Sequence, residues 1–337
     1  MDEGTILLDH GSGGLLSRRL VTEVIVPELG TVHIGLMEDS RILESPFDMF
    51  AMTTDSFVLD PIFLGNCNIG HLAVCGTVND LAVSGAKPLF LTLALILEEG
   101  LPISDLIKIL HGVRDAAMEA NVEIVAGDTK VLRRGEIDKL AINTAGIGRV
   151  DNKQSCPAIS LICPGDKIIV TGFLGNHGVH VLSLKHGLGF ESRIKSDCAP
   201  LNHLIHNVLA VFGSKIHFMR DITRGGLATL LNEVCTSSRL SIEIDEVRLP
   251  LQLETVMATD MIGISPLHLA NEGNLCVIVN DGVADSCLAA IRAEPYGKNA
   301  NLIGTVQESE GYVVMRTQVG QLKCIDYLRG QPLPRLC

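Results

Sequence analysis

The 337-residue chain is longer than a single hydrophobic core usually supports, so we expect two domains. Hydrophobic residues make up 47% and charged residues 20% of the sequence, which is typical of a globular protein and excludes a disordered chain. The formal net charge of −12 disfavours nucleic acid and anionic membrane surfaces as partners.

The sequence predicts neither export nor a membrane-spanning helix. Its first four residues are acidic where a secretory signal is basic, and no uninterrupted apolar run has the length of a bilayer-spanning helix. The ten cysteines include no Cys-x-x-Cys pair, and most are expected to be buried thiols in a reducing compartment. Cys337 differs because it is the last residue. We therefore expect a cytoplasmic protein.

Hydrophobic periodicity and turn residues predict an N-terminal unit of mixed strands and helices. Residues 68–85 have helical character and end at Gly85, with Pro88 shortly after. Residues 104–121 show helical spacing of apolar side chains. Strands are predicted at residues 48–55, 89–97, 122–126 and 140–148.

A second unit follows residues 150–166, which are broken by prolines and predict the domain junction. Strands are predicted at 167–171, 242–244, 276–280 and 302–306, and helices at 178–185, 201–212, 226–235 and 284–293. Neither half shows strict βαβ alternation, so the predicted fold class is α+β. We predict a glycine-rich segment at 1–45, domains at 46–155 and 156–307, and a C-terminal segment at 308–337.

The C-terminal segment carries two short predicted strands, at 312–315 and 322–325, followed by a tail. Pro332 and Pro334 lack backbone donors and hold the tail extended, so it cannot join the interior of a sheet. We expect this tail to project.

Glycines cluster near the start of the chain, in His10, Gly11, Ser12, Gly13 and Gly14. Such a segment lets backbone amides converge on an anion. It matches neither of the common phosphate-binding glycine patterns, and on spacing alone a flexible N-terminal loop is the better explanation.

Three acidic residues, Asp55, Asp80 and Asp128, stand at the predicted ends of apolar segments. Carboxylates at element ends can converge on Mg²⁺, which prefers oxygen ligands and usually bridges nucleotide phosphates. The alternative for each residue is capping, because Asp commonly accepts hydrogen bonds from loose backbone amides.

Two further segments combine charge with glycine. Asp221 and Arg224 precede Gly225, Gly226 and a predicted helix, an arrangement suited to a phosphate or ribose contact, although an N-capped helix start is the alternative. Glu272 follows an apolar stretch in a predicted turn, where it could equally belong to a solvated loop.

The histidine pairs His177/His180 and His203/His206 are each three residues apart. This spacing could share a metal, but zinc sites normally need three or four ligands and no others are obvious nearby. We therefore interpret these residues as surface histidines of helices.

In order along the chain, these motifs resemble the HypE family of the aminoimidazole ribonucleotide synthetase-like (PurM-like) superfamily, over essentially the whole length. The terminal PRLC motif is the most specific, with Leu336 where the family usually has Ile. A second mild departure is Ile222, where Pro or Ala is usual. The matching segments are 10–14 (HGSGG), 54–56 (TDS), 60–61 (DP), 68–70 (NIG), 79–80 (ND), 84–86 (SGA), 97–102 (LEEGLP), 127–131 (GDTKV), 143–146 (NTAG), 223–226 (TRGG), 270–273 (ANEG) and 334–337 (PRLC).

The resemblance implies two α+β domains, a homodimer whose N-terminal sheets pair into a barrel, and an enzyme of [NiFe]-hydrogenase maturation. A HypF-type partner would place a carbamoyl group on Cys337, and this chain would dehydrate the thiocarboxamide to a thiocyanate using ATP. The cyano group would then pass to iron on a complex of HypC and HypD.

The resemblance also implies roles for residues. Glu272 is the candidate proton acceptor, Lys130 the candidate electrostatic partner of the oxygen or phosphate, and Cys337 the substrate carrier. Mg²⁺ would be bound by Asp55, Asp80 and Asp128. The candidates for ATP binding are His10, Gly11, Ser12, Gly13, Asp55, Asn79, Asp80, Asp128, Thr129, Asn143, Thr144, Asp221 and Arg224.

The sequence is also compatible with two alternative functions. A PurM-like synthetase or kinase acting on a free small molecule would need no C-terminal cysteine, so the tail disfavours it. The chain could also be a non-catalytic carrier, whose cysteine is loaded and unloaded by partners while the nucleotide site acts as a gate.

Overall fold

A computed structural model describes residues 5–7, 20–30, 49–152, 156–309 and 311–327. Several predicted features lie outside the described residues, namely His10, Gly11, Ser12, Gly13, Gly14, the tail prolines and Cys337. The short helix α1, Val26–Leu29, precedes two units, each built around one sheet.

The first unit has a four-stranded sheet in the order β1-β4-β2-β3. β2 pairs antiparallel with β4 and parallel with β3, and β1 pairs antiparallel with β4. Helices α2 and α3 cover one face, against which alternate β2 side chains from Leu91 to Leu97 are buried. The elements are β1 (Phe50–Phe57), α2 (Ile69–Val83), β2 (Lys87–Glu98), α3 (Ile103–Ala120), β3 (Glu123–Leu132) and β4 (Leu140–Arg149).

Helix α2 is apolar on nearly all sides because both units pack around it. Twelve of its 15 residues are buried, against the first sheet, α3 and the second unit. Its start is set by Asn68, whose side-chain oxygen accepts hydrogen bonds from the amides of Gly70 and His71. Just beyond its end, Gly85 has φ +87°, which favours glycine. A central helix of this kind can carry side chains to a site between the units.

The second unit has a seven-stranded sheet in the order β11-β10-β7-β9-β5-β8-β6. Within it, β7 and β10 run parallel, and the other neighbours are antiparallel. Its strands are β5 (Lys167–Val170), β6 (Ile216–Asp221), β7 (Ser241–Asp245), β8 (Leu275–Val279), β9 (Asn301–Gln307), β10 (Val313–Arg316) and β11 (Leu322–Ile325).

Hydrophobic clusters lie on both faces of the second sheet, one around α6 and one around α5 and α8. Every residue of β8 is therefore buried, which explains its continuous apolar sequence. The helices of this unit are α4 (Asn176–His186), α5 (Asn202–Phe212), α6 (Gly226–Ser238), α7 (Leu253–Ile262) and α8 (Ala284–Ala293).

Each predicted helix and strand is found, and the α+β class is confirmed. The bounds agree within three residues except for β3, which continues to Leu132, six residues past its predicted end. Strand β6 and helix α7 were not predicted. β6 is short and includes His217, Arg220 and Asp221, and it is ordered by pairing with β8. α7 has exposed apolar side chains, Met257 and Met261, so its apolar residues do not form the single buried stripe by which a helix is recognised. The two C-terminal strands, β10 and β11, extend the second sheet.

The prediction that most cysteines are buried is wrong for the described residues. Of the nine described cysteines, four are buried, namely Cys75, Cys235, Cys276 and Cys287. No helix within the described ranges is both long and apolar enough to cross a membrane.

Candidate functional site

Four carboxylates from four different elements face one another where the two units meet. Asp55 lies in β1, Asp80 in α2, Asp221 at the end of β6 and Glu272 in the loop before β8. Burial, the charge of Asp80 and a hydrogen bond with Asp80 raise the pKa of Asp55 to about 6, although Arg224 partly lowers it. Burial, then the charge of Asp80, raises the pKa of Asp221 to about 7. The acids thus repel one another at short range.

Glu272 is the most buried member, with 4% of its surface exposed. Burial, followed by the charges of Asp221, Asp197 and Asp55, raises the pKa of Glu272 well above its usual value. Its Oε1 atom is buried and has no hydrogen-bond partner among the described protein atoms. The interpretation of residue 272 as part of a solvated loop is therefore wrong, because the loop packs between the units.

Gly273 explains how Glu272 reaches this position. A Cβ atom at residue 273 would lie 1.8 Å from the carbonyl oxygen of Asp197, so only glycine permits this close approach. The Glu272 amide donates to Asp197 Oδ1 at 2.9 Å, and Asn274 Nδ2 donates to Asp197 Oδ2 at 2.9 Å. Burial raises the pKa of Asp197 itself to about 6, despite these hydrogen bonds. Sequence analysis missed Asp197, which stands in a polar loop without a recognisable motif.

The prediction that Asp55, Asp80 and Asp128 stand at the ends of elements is wrong. Asp55 lies inside β1, Asp80 inside α2 and Asp128 inside β3. A strand exposes alternate faces, so a charged residue can occupy its interior without ending it. Asp55 shares the α2 side of β1 with Thr53, whose hydroxyl donates to Asp80 Oδ2 at 3.0 Å.

Asp128 lies on the other face of the same sheet. Asp128 pairs with Ala94 of β2, and Ala94 pairs with Asn143 of β4. All three side chains lie on the sheet face away from α2 and α3. Lys130 Nζ lies 3.6 Å from Asp128 Oδ2, and both side chains are about two-thirds exposed, at 66% and 65%. Thr129 donates its amide to Asp128 Oδ1 at 2.9 Å, the local contact that the capping alternative anticipated. Within a single chain, Asp55 and Asp80 therefore lie together, whereas Asp128 and Lys130 lie on the opposite face of the sheet.

Three other candidate residues make hydrogen bonds within the protein. Asn79 is buried and bonds to the backbone of the second unit, donating to the Ala199 carbonyl at 3.1 Å and accepting from the Leu201 amide at 2.8 Å. The Thr144 hydroxyl pairs with that of Thr77 on α2. Asn143 Nδ2 donates to the Asp55 carbonyl at 2.8 Å. These contacts hold β1 and α2 in place around the carboxylates.

The segment from Asp221 to Gly226 turns sharply into α6. Gly225 and Gly226 have φ of +75° and +63°, and a Cβ on Gly226 would lie 2.4 Å from the Leu267 carbonyl oxygen. The N-cap position of α6 is Gly225, and no side chain caps the helix there. The alternative of a helix start capped by a side chain is therefore wrong. Arg224 is exposed beside the acids and supplies a positive charge toward Asp55.

The histidine interpretation is wrong for one pair. His177 and His180 are buried in α4, where His180 contacts the Leu64 and Ile194 carbonyls through its two ring nitrogens at 2.6 and 2.7 Å. Leu64 belongs to the first unit, so this histidine joins the units. His203 and His206 are exposed, as predicted.

The donor set fits a hard divalent cation. All members are carboxylates, and a cation would relieve the repulsion that raises the pKa values of Asp55 and Asp221. Among the described residues, no three of these carboxylates bring ligand atoms within 4.8 Å of one another. A cation here would therefore take one or two carboxylates and complete its shell with phosphate oxygens and water, the usual arrangement for Mg²⁺.

Family models agree with the division into two units. The model for the N-terminal domain of AIR synthase related protein matches residues 37–150, and that for the C-terminal domain matches residues 163–316. The carbamoyl dehydratase HypE of Rhizobium leguminosarum bv. viciae is 41% identical over 335 residues, covering 99% of this chain and 95% of that protein.

Solved structures agree over the whole chain. The crystal structure of a HypE in complex with ATP superposes with a TM-score of 0.94 at 39% identity, covering 99% of this chain and all (100%) of that one. The HypE chain in a HypE–HypF complex matches with a TM-score of 0.80 at 41% identity, covering 94% and 100%. By identity and coverage, the chain belongs to the HypE family of carbamoyl dehydratases, among the AIR synthase-related proteins.

Proposed function

We propose that this chain is a carbamoyl dehydratase, which uses ATP to convert an S-carbamoyl group on its own Cys337 into a thiocyanate for [NiFe]-hydrogenase maturation. The observation that carries the proposal is the convergence of Asp55, Asp80, Asp221 and Glu272 between the units of a chain that is 41% identical to a carbamoyl dehydratase. The match to a HypE bound to ATP supports ATP as the co-substrate.

The reaction requires a poor leaving group to be activated. The amide oxygen of the carbamoyl group attacks the γ-phosphoryl of ATP, ADP leaves, and one amide proton is lost. Loss of the phosphate and the second amide proton then forms the carbon–nitrogen triple bond. The sum is one thiocyanate, ADP, phosphate and two released protons, with no oxidant or reductant involved. Positioning and charge neutralisation supply most of the rate in such phosphoryl transfers.

The acidic residues would serve the nucleotide end of this reaction. Asp55 and Asp80 are the candidate Mg²⁺ ligands, and when bound the ion would neutralise phosphate charge and align the γ-phosphoryl group. Asp221 lies next to them. Arg224, an exposed cation near Asp55, would meet a phosphate of the nucleotide. Asp128 is the remaining candidate ligand, on the opposite face of the sheet.

Glu272 is the candidate acceptor of the amide protons. A carboxylate with a raised pKa is a stronger base than an ordinary one, which suits removal of a weakly acidic proton. The same rise would favour the protonated form of Glu272 when the cleft holds no cation. A cation bound to Asp55 and Asp80 favours the ionised form of nearby carboxyls, so nucleotide loading would prepare the base.

A homodimer would give Asp128 and Lys130 a place near the nucleotide. These residues share their sheet face with Phe50 and Met52, whose exposed fractions are 62% and 66%. An exposed apolar sheet face is suited to pairing with a second copy about a two-fold axis. We propose that this face is the dimer interface, and that it brings Lys130 of each chain toward the transferred phosphate.

In this proposal the C-terminal tail carries Cys337 between the site and the partners. An extended chain of seven residues after Gly330 spans about 23 to 25 Å, enough to move Cys337 between a cleft and another protein. A HypF-type carbamoyltransferase is the proposed donor, in keeping with the similarity to the HypE of a HypE–HypF complex. An iron-carrying HypC–HypD complex is the proposed acceptor.

Mass spectrometry of the intact chain tests the proposal. Incubation with a carbamoylating partner should add one carbamoyl group, and ATP with Mg²⁺ should then remove the mass of one water. Cys337→Ala should prevent both changes, whereas Cys324→Ala, which removes an exposed thiol in β11, should prevent neither. Thiocyanate formed by the Cys337→Ala variant, or formed without ATP, would contradict the proposal. The second result would identify a non-catalytic carrier.

A further inference from the structure

A separate group of thiols and an imidazole lies beside Glu272. One ring nitrogen of His71 and the Sγ atoms of Cys75 and Cys198 all lie within 4.8 Å of one another. The Cys67 thiol hydrogen-bonds to the Cys198 thiol, which in turn contacts the Cys75 thiol. His71, Cys75 and Cys198 therefore form a close group, and Cys67 adjoins it through its contact with Cys198. We call these four residues the thiol–imidazole cluster.

The sequence spacing accounts for three of these positions. Cys67, His71 and Cys75 are spaced by four residues, and the last two lie one turn apart on α2. Asn68 caps the helix, so Cys67 sits directly before its first turn. The fourth residue, Cys198, comes from the loop 194–201 of the second unit. The cluster therefore spans the boundary between the units.

The chemistry of this set is that of a closed zinc site. Three cysteine sulfurs and one histidine nitrogen are a common tetrahedral ligand set for Zn²⁺. With zinc–sulfur bonds of about 2.3 Å, tetrahedral geometry places the sulfurs about 3.8 Å apart. The ligand atoms of His71, Cys75 and Cys198 already lie within 4.8 Å of one another and need only small side-chain movements to reach this separation. Cys67 would complete the set through its contact with Cys198. Among the described residues, no other group of three or more His, Cys, Asp or Glu ligand atoms is as close.

The surrounding charges favour a cation. The Glu272 carboxylate acts electrostatically on the Cys75 and Cys198 thiols, and the Cys67 thiol acts on Glu272 in the same sense. Anionic thiolates beside this carboxylate would be poorly stabilised without a metal ion to balance them.

We infer that Cys67, His71, Cys75 and Cys198 form a Zn²⁺ site that fastens α2 to the second unit. Because the ligands come from both units, a bound ion would hold the cleft walls at a set separation. The site is chemically distinct from the oxygen donors of Asp55 and Asp80, which suit Mg²⁺. The inference does not depend on the proposed dehydration.

Cobalt titration of the full-length chain tests this site. The protein is purified with a reductant, cleared of metal with a chelator and titrated with Co²⁺, followed by Zn²⁺ in competition. We expect one equivalent of Co²⁺ to give a sulfur-to-cobalt charge-transfer band and the visible bands of tetrahedral cobalt, and one equivalent of Zn²⁺ to remove them. His71→Gln and Cys198→Ser should each weaken the affinity at least tenfold.

Matched controls separate this site from adventitious thiol binding. Cys163→Ser removes an exposed thiol and His203→Gln an exposed imidazole, so both should retain the affinity of the unsubstituted chain. Cys337→Ser should also retain it, which excludes the terminal thiol as a ligand. Zn²⁺ should raise the thermal midpoint of these controls and not that of Cys198→Ser, because an ion that binds only the folded chain stabilises it.

Two results would overturn the inference. One is a reduced chain, folded by circular dichroism, that shows no thiolate–cobalt band at one equivalent. The other is unchanged affinity in both His71→Gln and Cys198→Ser. His71 is partly exposed, so its substitution should leave the fold intact and keep the test decisive even if Cys198→Ser is unstable.

Discussion

Replacing Asp221 by Asn tests whether this buried carboxyl, which lies beside other acids, destabilises the folded chain when it is ionised. Burial and then the charge of Asp80 raise the pKa of Asp221 from 3.8 to about 7, with a smaller contribution from Asp55 and opposition from Arg220. Ionising this carboxyl in the folded chain therefore costs about 4 kcal/mol more than in the unfolded chain, at about 1.4 kcal/mol per tenfold change in acidity. Asn has nearly the same shape and no charge, so Asp221→Asn should remove this cost.

The sign follows from proton binding. Between pH 3.8 and about 7 the folded chain keeps the Asp221 proton that the unfolded chain has lost, so the free energy of unfolding falls as pH rises through this window. The Asp221→Asn variant has no carboxyl at this position, so its free energy of unfolding lacks this pH-dependent contribution. It should match the unsubstituted chain below about pH 4 and exceed its free energy of unfolding by up to about 4 kcal/mol above pH 7.

Urea unfolding across this pH range, in EDTA and without nucleotide, measures the effect. Asp260→Asn, which neutralises an exposed carboxyl on α7, is the matched control and should follow the unsubstituted chain. Equal pH slopes for Asp221→Asn and the unsubstituted chain would refute the reasoning. Mg²⁺ with an ATP analogue should reduce the difference, because a bound cation favours the ionised carboxyl.

Three further predictions concern the nucleotide site, the Glu272 loop and the proposed dimer. Asp80→Asn should weaken ATP binding in Mg²⁺, measured by calorimetry, because it removes an anionic oxygen donor; equal affinity in the variant would remove Asp80 from the site. Gly273→Ala should lower the free energy of unfolding, measured in urea, by about 3 kcal/mol or more, because its Cβ would meet the Asp197 carbonyl oxygen at 1.8 Å. The control Gly282→Ala should change this free energy little, because its nearest contact would be at 3.3 Å. Light scattering should give about twice the 36.2 kDa chain mass, and Met52→Glu should shift this toward the monomer; an unsubstituted chain that is monomeric at micromolar concentration would contradict the dimer.

Local sequence signals predicted much of the secondary structure because they act over a few residues. Asn68 and Gly85 bracket α2 through a side-chain cap and a positive φ, which are properties of those residues in almost any surroundings. The apolar residues of β2 similarly predict a strand, and alternate ones from Leu91 to Leu97 are buried against helices α2 and α3. β6 was missed because its order depends on pairing with β8, far away in sequence.

The candidate site was predicted in its residue types and only partly in its geometry. Asp55, Asp80, Asp221 and Glu272 were recognised from motif order, and the structure brings them together. The separation of Asp128 could not be foreseen, because which face a strand residue occupies relative to another strand depends on register.

The sequence by itself determined the family, the α+β class and most element boundaries, because these depend on composition, short motifs and local backbone preferences. Tertiary structure alone decided the burial of Glu272 and His180, the support that Asp197 gives to the Glu272 loop, and the meeting of Cys198 with the thiols of the first unit. Each of these features needs two segments more than a hundred residues apart, or a loop folded back on another, to come into contact. Such contacts are set by the packing of the two units around α2, which no local pattern records.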